Sequence, residues 1–353
     1  MFSIKNYLYN LLTYKIKGPF AVFLRGVLFV LSLVYGLVVV LLASFYRIKP
    51  ARFSAKVISV GNITLGGTGK TTFVEYLANK LNAQSKKIAI LSRGYKRDAG
   101  KQGIQGIGDE PAMLQKKLPF LQVVVDKNRV RAALKAIKNF AVNTLILDDG
   151  LQQWRIFKDL EIVTIDAGNP FGNYCMLPAG FLREPLSALK RADIFVLTQI
   201  NLDQDTVELY ARLKGINPSA LIVESIHELD GFSSVSNPVE SLEVNYFKNK
   251  VAVVFSGIGN PIGFEKSISD LGIHIAKSLK FADHHGYTQA DIDEIIKVAR
   301  QMHADAIITT QKDAVKVKEL KIQGAGIVAL NIKLNITKNE AEFNRRLFKL
   351  YSI

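Results

Sequence analysis

The sequence predicts an α/β protein of two domains that follow an N-terminal apolar helix. Three observations predict it. An uncharged apolar run occupies residues 26–46. After Pro50, short β-branched runs alternate with helical stretches, the pattern of parallel sheets covered on both faces. A polar stretch near 228–250 interrupts that alternation once and divides the remainder in two. With 353 residues, 48% apolar and 22% charged, the chain is long enough for each part to bury its own core.

The apolar run, GVLFVLSLVYGLVVVLLASFY, makes about 31 Å of helix at 1.5 Å per residue, against a bilayer core of roughly 30 Å. A secretory signal would have a shorter apolar region ending at a small-residue cleavage site. This run closes instead on Phe45, Tyr46 and Arg47. Residues 1–56 lack Asp and Glu and carry Lys5, Lys15, Lys17, Arg25, Arg47, Lys49, Arg52 and Lys56, much of the net charge of +15. Such flanks are drawn to anionic headgroups, so the partner of this basic segment is a membrane and not nucleic acid, for which no motif exists. Basic residues are balanced on the two sides of the run, leaving orientation, and spanning versus monotopic insertion, open. A single cysteine, Cys175, excludes an internal disulfide and fits a reducing compartment.

The strands expected are 56–60, 87–91, 121–125, 144–148, 161–165, 193–198 and 220–224, then 251–255, 306–309 and 326–331. Residues 1–50 read as a membrane-anchoring segment, 51–225 as a first α/β domain and 226–353 as a second.

The strongest chemical signal is VISVGNITLGGTGKTTFVEYLANKL, residues 57–81. A strand enters a Gly-rich turn, and Lys70 and Thr71 open an amphipathic helix. Thr64, Leu65, Gly66, Gly67, Thr68 and Gly69 form a loop whose N–H groups converge on one anion. Lys70 reaches the β- and γ-phosphates, and the Thr71 hydroxyl suits Mg²⁺. The usual spacing asks for Gly where this chain has Thr64. The predicted fold of the first domain is therefore a mostly parallel P-loop sheet, and its cofactors are ATP and Mg²⁺.

A second signal is TLILDDGLQQW, residues 144–154, an apolar strand ending in Asp148 and Asp149, which suits a carboxylate for Mg²⁺ beside the loop. Strand register decides which of the two faces the metal. Further polar clusters are Asp109 and Glu110 in GIGDEP, Arg183 and Glu184 in LPAGFLREP, and His284 and His285 in FADHHGYT. Taken singly, each reads as a turn or a helix cap.

Taken together, GNITLGGTGKT, LSRGYKR, GDEP, LDDGLQQW, LPAGFLREP, FSGIGNP, FADHHGYT and TTQKDAVK resemble the tetraacyldisaccharide 4'-kinase family, the lipid A 4'-kinases of Gram-negative bacteria, over roughly residues 20–320. That family tolerates a non-glycine at the Thr64 position. The resemblance implies two α/β/α domains with a cleft between them, ATP on the first, and a disaccharide lipid at the cytoplasmic face of the inner membrane. It implies the triphosphate on Gly66 to Thr71, and Mg²⁺ near Thr71, Asp148 and Asp149. It also implies an acid/base pair of Asp109 with a His of the DHH motif, taken here as His284, and Arg129 and Arg183 near the anionic lipid. No protein partner is implied.

The chemistry agrees. A sugar hydroxyl needs a base for its proton while Lys70 and Mg²⁺ neutralise charge on the γ-phosphoryl group. Other readings compete for the same loop. A deviant-Walker ATPase switch carries a signature Lys where this chain has Leu65. A GTPase needs Lys where Gln311 stands in Thr310-Gln311-Lys312-Asp313.

Overall fold

The computed structural model describes residues 4–94, 109–200, 206–236, 241–282, 285–318, 320–322 and 326–352, with residues 4–6, 109, 110 and 116 described by their backbone alone. In chain order the elements are α1 (Ile4–Leu12), α2 (Pro19–Arg47), β1 (Lys56–Gly61), α3 (Lys70–Asn82), β2 (Ile88–Ser92), α4 (Asp109–Lys117), β3 (Gln122–Val125), α5 (Arg129–Phe140), β4 (Thr144–Asp148), β5 (Leu160–Asp166) and β6 (Ile194–Thr198). Then come α6 (Val207–Ile216), β7 (Leu221–Ser234), β8 (Ser241–Leu242), β9 (Val251–Ser256), α7 (Pro261–Asp270), β10 (His274–Lys280), α8 (Gln289–Gln301), β11 (Ala306–Thr310), α9 (Gln311–Val317), β12 (Ile327–Lys338) and α10 (Glu340–Lys349).

The chain forms two compact units, one of Met1–Arg93, Phe120–Ile226 and Ile336–Ile353, the other of Gly94–Pro119 and His227–Asn335. In the first, the strands run β7-β6-β5-β1-β4-β2-β3, and every neighbouring pair is parallel. Strands β2, β4 and β6 are buried along their whole length, which explains why they read as unbroken apolar runs. Helix α3 buries Phe73, Val74, Leu77, Ala78 and Leu81, a stripe at helical spacing that fixes the phosphate loop to the sheet. In the second unit, β10-β9-β11-β12 are parallel neighbours.

The structure departs from the sequence expectation in several places. Strand β10 was not expected, because HIAKSLK has no apolar run and is mostly exposed. It is an edge strand held by backbone pairing to β9, with lysines turned to solvent. The supposed connector at 228–250 begins as strand, since β7 continues to Ser234 and pairs Phe232 with Leu242.

A single cut at 225/226 also misplaces two segments. Helix α10 returns to the first unit because its apolar stripe has a partner there: Phe343 and Leu347 are fully buried, and Phe343 meets Phe73 edge-on at 5.9 Å. Helix α4 belongs to the second unit, where it packs on α9 and Lys117 donates to Gln311 at 2.7 Å.

The first unit also includes α1 and α2. Helix α2 has 29 residues, about 43 Å. It turns a narrow stripe inward through Ser32, Val39 and Ala43, leaving Phe29, Leu33, Leu37, Leu41 and Phe45 exposed. By length and composition it is long and apolar enough to cross a membrane.

Candidate active site

Strand β1 ends at Gly61 and the chain turns through residues 62–69 into α3. Gly69 caps that helix with φ 70°, a left-handed angle that a side chain resists, and Lys70 is the first helical residue. The loop is pinned from below: Thr68 shares a hydrogen bond of 2.8 Å with Thr164, and the Thr198 hydroxyl donates to the Thr68 carbonyl at 3.1 Å. From the side, Gln199 donates to the Gly67 carbonyl at 3.0 Å. Thr64, where glycine is usual, is buried and bridges to Leu182, while Leu65 is exposed. Thr71 follows Lys70 in the first turn of α3, at the positive end of its dipole.

Strand β4 lies beside β1 in parallel register, with Asp148 opposite Val60. Asp148 is buried, and Ser92 donates to it at 3.4 Å. Asp149 sits one step past the strand at φ 59°, a strained angle that swings its carboxylate to the loop side. There Arg183 donates to both oxygens at 2.7 and 2.9 Å, and Lys70 Nζ approaches to 3.8 Å. Burial alone would raise the Asp149 carboxyl. The Arg183 hydrogen bonds and the charges of Lys70, Arg183 and Arg129 outweigh it and hold the group below its usual value.

Asn62 is the functional residue that the sequence reading missed. It is fully buried, and its Oδ1 accepts from Lys70 Nζ at 2.9 Å and from Arg183 at 3.1 Å. Its Nδ2 donates to the Thr64 carbonyl at 2.7 Å. One amide thus holds both cations and the loop backbone. The signal was present, an amide placed directly after a strand buried to its end. A second network backs the first, since Gln152 donates to the Asn62 carbonyl and to Glu184, and Arg191 donates to both Glu184 oxygens.

Arg129 lies at the start of α5 and is 3% exposed. It donates to the Asp126 carbonyl at 2.6 Å, while its Nε has no hydrogen-bond partner. Burial lowers its affinity for its proton, opposed by the fields of Asp148 and Asp149.

Asp109 opens α4. His284 lies outside the described residues. The residue that opens α4 falls in the second unit and not in the first domain expected for it. The neighbouring His285 is engaged locally. Its Nε2 lies 3.1 Å from Asp291, which also closes the capping box of α8 with Thr288, and its ring stacks on Phe281.

Among the described residues no three His, Cys, Asp or Glu side chains gather around a common point. A cage made wholly by protein is not what Mg²⁺ requires in a nucleotide site, where one or two hard oxygen ligands complement the phosphates. Thr71 offers a hydroxyl of that kind and Asp148 and Asp149 offer carboxylates, of which Asp149 also binds Arg183 and approaches Lys70.

Comparison with known proteins agrees with this geometry. The family model of tetraacyldisaccharide-1-P 4'-kinase matches residues 24–352. A relative from Halothermothrix orenii named tetraacyldisaccharide 4'-kinase is 36% identical over 343 residues, covering 89% of this chain and 88% of its own. One of the same name from Elusimicrobium minutum is 37% identical, covering 92% and 90%. The crystal structure of LpxK from Aquifex aeolicus in complex with ATP superposes with a TM-score of 0.75 at 28% identity, covering 93% of this chain and all of that one. With a phosphate loop, paired aspartates and a near full-length match in hand, the chain belongs to the tetraacyldisaccharide-1-P 4'-kinase family.

Proposed function

We propose that this chain transfers the γ-phosphoryl group of ATP to the 4'-hydroxyl of a tetraacyldisaccharide 1-phosphate lipid, a step of lipid A biosynthesis. The observation that carries the proposal is Lys70 at the first turn of α3, held by Asn62 and facing Asp149 across from the loop. That arrangement aims a cation and a row of backbone N–H groups at a triphosphate. The competing ATPase-switch reading lacks its signature Lys at Leu65.

In this reading Gly66 to Thr71 cradle the triphosphate. Thr71 and Asp148 would hold Mg²⁺, which when bound neutralises charge on the phosphates. Arg183 and the buried Arg129 add positive potential where the anionic reactants meet. Asp109 orients His284, which takes the proton of the attacking hydroxyl. His285, occupied with Asp291, leaves that task to its neighbour.

The exposed apolar face of α2 meets the membrane. Its opposite face touches the first unit at Tyr35, Gly36 and Tyr46, whose ring lies under Arg155. In this reading the helix lies in one leaflet, its inner stripe held to the first unit and its apolar face in lipid. The catalytic units lie on the cytoplasmic side, where ATP is found.

The test is incubation of purified protein with γ-labelled ATP and a panel of lipids. Label on the 4' position of the disaccharide lipid supports the proposal. ATP hydrolysis with no labelled lipid overturns it in favour of the switch.

A further inference from the structure

The loop that carries Arg183 is held between two structures in the first unit. On its inner side it is bound to the phosphate loop: Leu65 N donates to the Phe181 carbonyl at 2.7 Å and Arg183 N donates to the Ile63 carbonyl at 2.8 Å, which together form the antiparallel bridge of Thr64 with Leu182. On its outer side it is bound to the N-terminal helices. The Tyr35 hydroxyl of α2 donates to the backbone carbonyl of Arg183 at 3.1 Å. Asn173 donates to the Leu12 carbonyl at 3.4 Å, and Tyr9 meets Phe181 edge-on at 6.0 Å. At Gly36, one residue after Tyr35, an added Cβ would lie 3.1 Å from Met176 Sδ. The apolar helix therefore touches the short segment whose guanidinium grips Asp149 and Asn62.

We propose that Tyr35 is a positioning residue for phosphoryl transfer, fixing the Arg183 main chain from α2 so that its guanidinium is aligned on Asp149 and Asn62. The membrane helix is then a structural wall of the active site as well as an anchor. The reason is one of leverage. A guanidinium chelating one carboxylate and one amide tolerates little displacement of its own backbone, and small misplacements of catalytic groups cost rate far more than they cost binding. Two backbone tethers hold the inner side, and the carbonyl of Arg183 accepts from Tyr35 on the outer side. This inference rests on the kinase reading of the site.

The experiment compares Tyr35→Phe, Gly36→Leu and Gly26→Leu in the full chain. Tyr35→Phe removes only the hydroxyl. Gly36→Leu wedges α2 away from Met176. Gly26→Leu adds the same apolar side chain to the same helix, where an added Cβ meets nothing within 4 Å. Expected are a kcat lowered about fivefold to twentyfold in the first two, KM for ATP within about twofold, and normal Tm and vesicle co-sedimentation, with Gly26→Leu unchanged throughout. Wild-type kcat in Tyr35→Phe and Gly36→Leu, an equal loss in Gly26→Leu, or a loss that only tracks a fall in Tm overturns the proposal.

A readout independent of turnover separates this inference from the kinase reading. The Nε–H resonance of Arg183 in arginine-labelled protein, assigned by its disappearance in Arg183→Lys, shifts in Tyr35→Phe and not in Gly26→Leu. If unaltered protein labels no lipid, the kinase reading fails, while the resonance still decides the coupling. An unmoved resonance overturns it.

Discussion

Arg183 grips Asp149 through both terminal nitrogens, at 2.7 and 2.9 Å, across 34 positions of sequence. The clamp, with Lys70 Nζ at 3.8 Å, makes Asp149 an organiser of cations. Lysine presents one point charge and cannot chelate both oxygens. Arg183→Lys should therefore lower the transfer rate at least about tenfold, a part of the 10²–10³ that one lost preorganised contact costs. The pair is partly exposed and contributes about 1 kcal/mol or less to stability, so Tm should hardly move. A wild-type rate in steady-state assays would mean that the clamp is idle in catalysis.

Lys70 and Asn62 should fail in different ways. Lys70→Ala removes charge aimed at the transferring group and should cost at least about 10²-fold in kcat with the fold intact. Asn62→Ala leaves the charge but frees it, and removes a buried acceptor shared by two cations. A smaller loss in kcat, about tenfold, should come with a lower Tm, because buried donors lose a partner. Equal kinetic losses in both would deny Asn62 a separate holding role.

Asp109 and His284 act as one unit in the proposed mechanism, and general-base removal costs about 10²–10⁴-fold. Groups that act as a unit are strongly non-additive. The double alanine variant should be scarcely slower than the worse single variant, with ATP affinity unchanged in all three. Multiplicative losses in single-turnover transfer would dissolve the dyad.

Deleting residues 1–50 should do more than release the protein from membranes. Tyr9, Tyr35 and Gly36 touch Phe181, Arg183 and Met176, and Leu11, Ala21, Val39 and Ala43 are buried in the folded chain. Losing the two larger side chains alone forfeits about 3–6 kcal/mol of burial and uncovers Met176 and Phe181. Calorimetry in detergent should show a Tm at least about 5 °C lower than that of the full chain. An unchanged Tm would make α2 a passive tether.

Acid stability has an identifiable contributor outside the site. Hydrogen bonds from Arg131 bring the Asp126 carboxyl down to about 2, burial opposes them, and the Asn128 N–H assists. A carboxyl depressed in the folded state stabilises fully above its unfolded value near 3.8, and that contribution is lost as pH falls from 3.8 towards 2. Asp126→Asn should lower stability at neutral pH and flatten its decline across that window. A decline as steep as wild type in urea titrations at several pH values would assign the effect elsewhere.

Elements whose signals are local are legible in the amino-acid order alone. A buried parallel strand must be apolar throughout, so β1, β2, β4 and β6 are legible as runs. A phosphate cradle needs glycines, a lysine and a hydroxyl in consecutive positions, so residues 64–71 are legible as chemistry. The uncharged run at 26–46 announces a helix because nothing else hides so much apolar backbone.

Tertiary structure decided what depends on partners distant along the chain. Strand β10 exists because β9 offers it a ladder. Helix α10 returns to α3 because Phe343 fits beside Phe73, and α4 joins the second unit through α9. Asn62 became important only when Arg183 arrived from 121 positions away. The meeting of Asp149 with Arg183 and Lys70 turned on one left-handed residue at a strand end. Composition encodes burial and local geometry, while the meeting of Tyr35 with the Arg183 carbonyl is set by packing of whole elements, which no short window of residues contains.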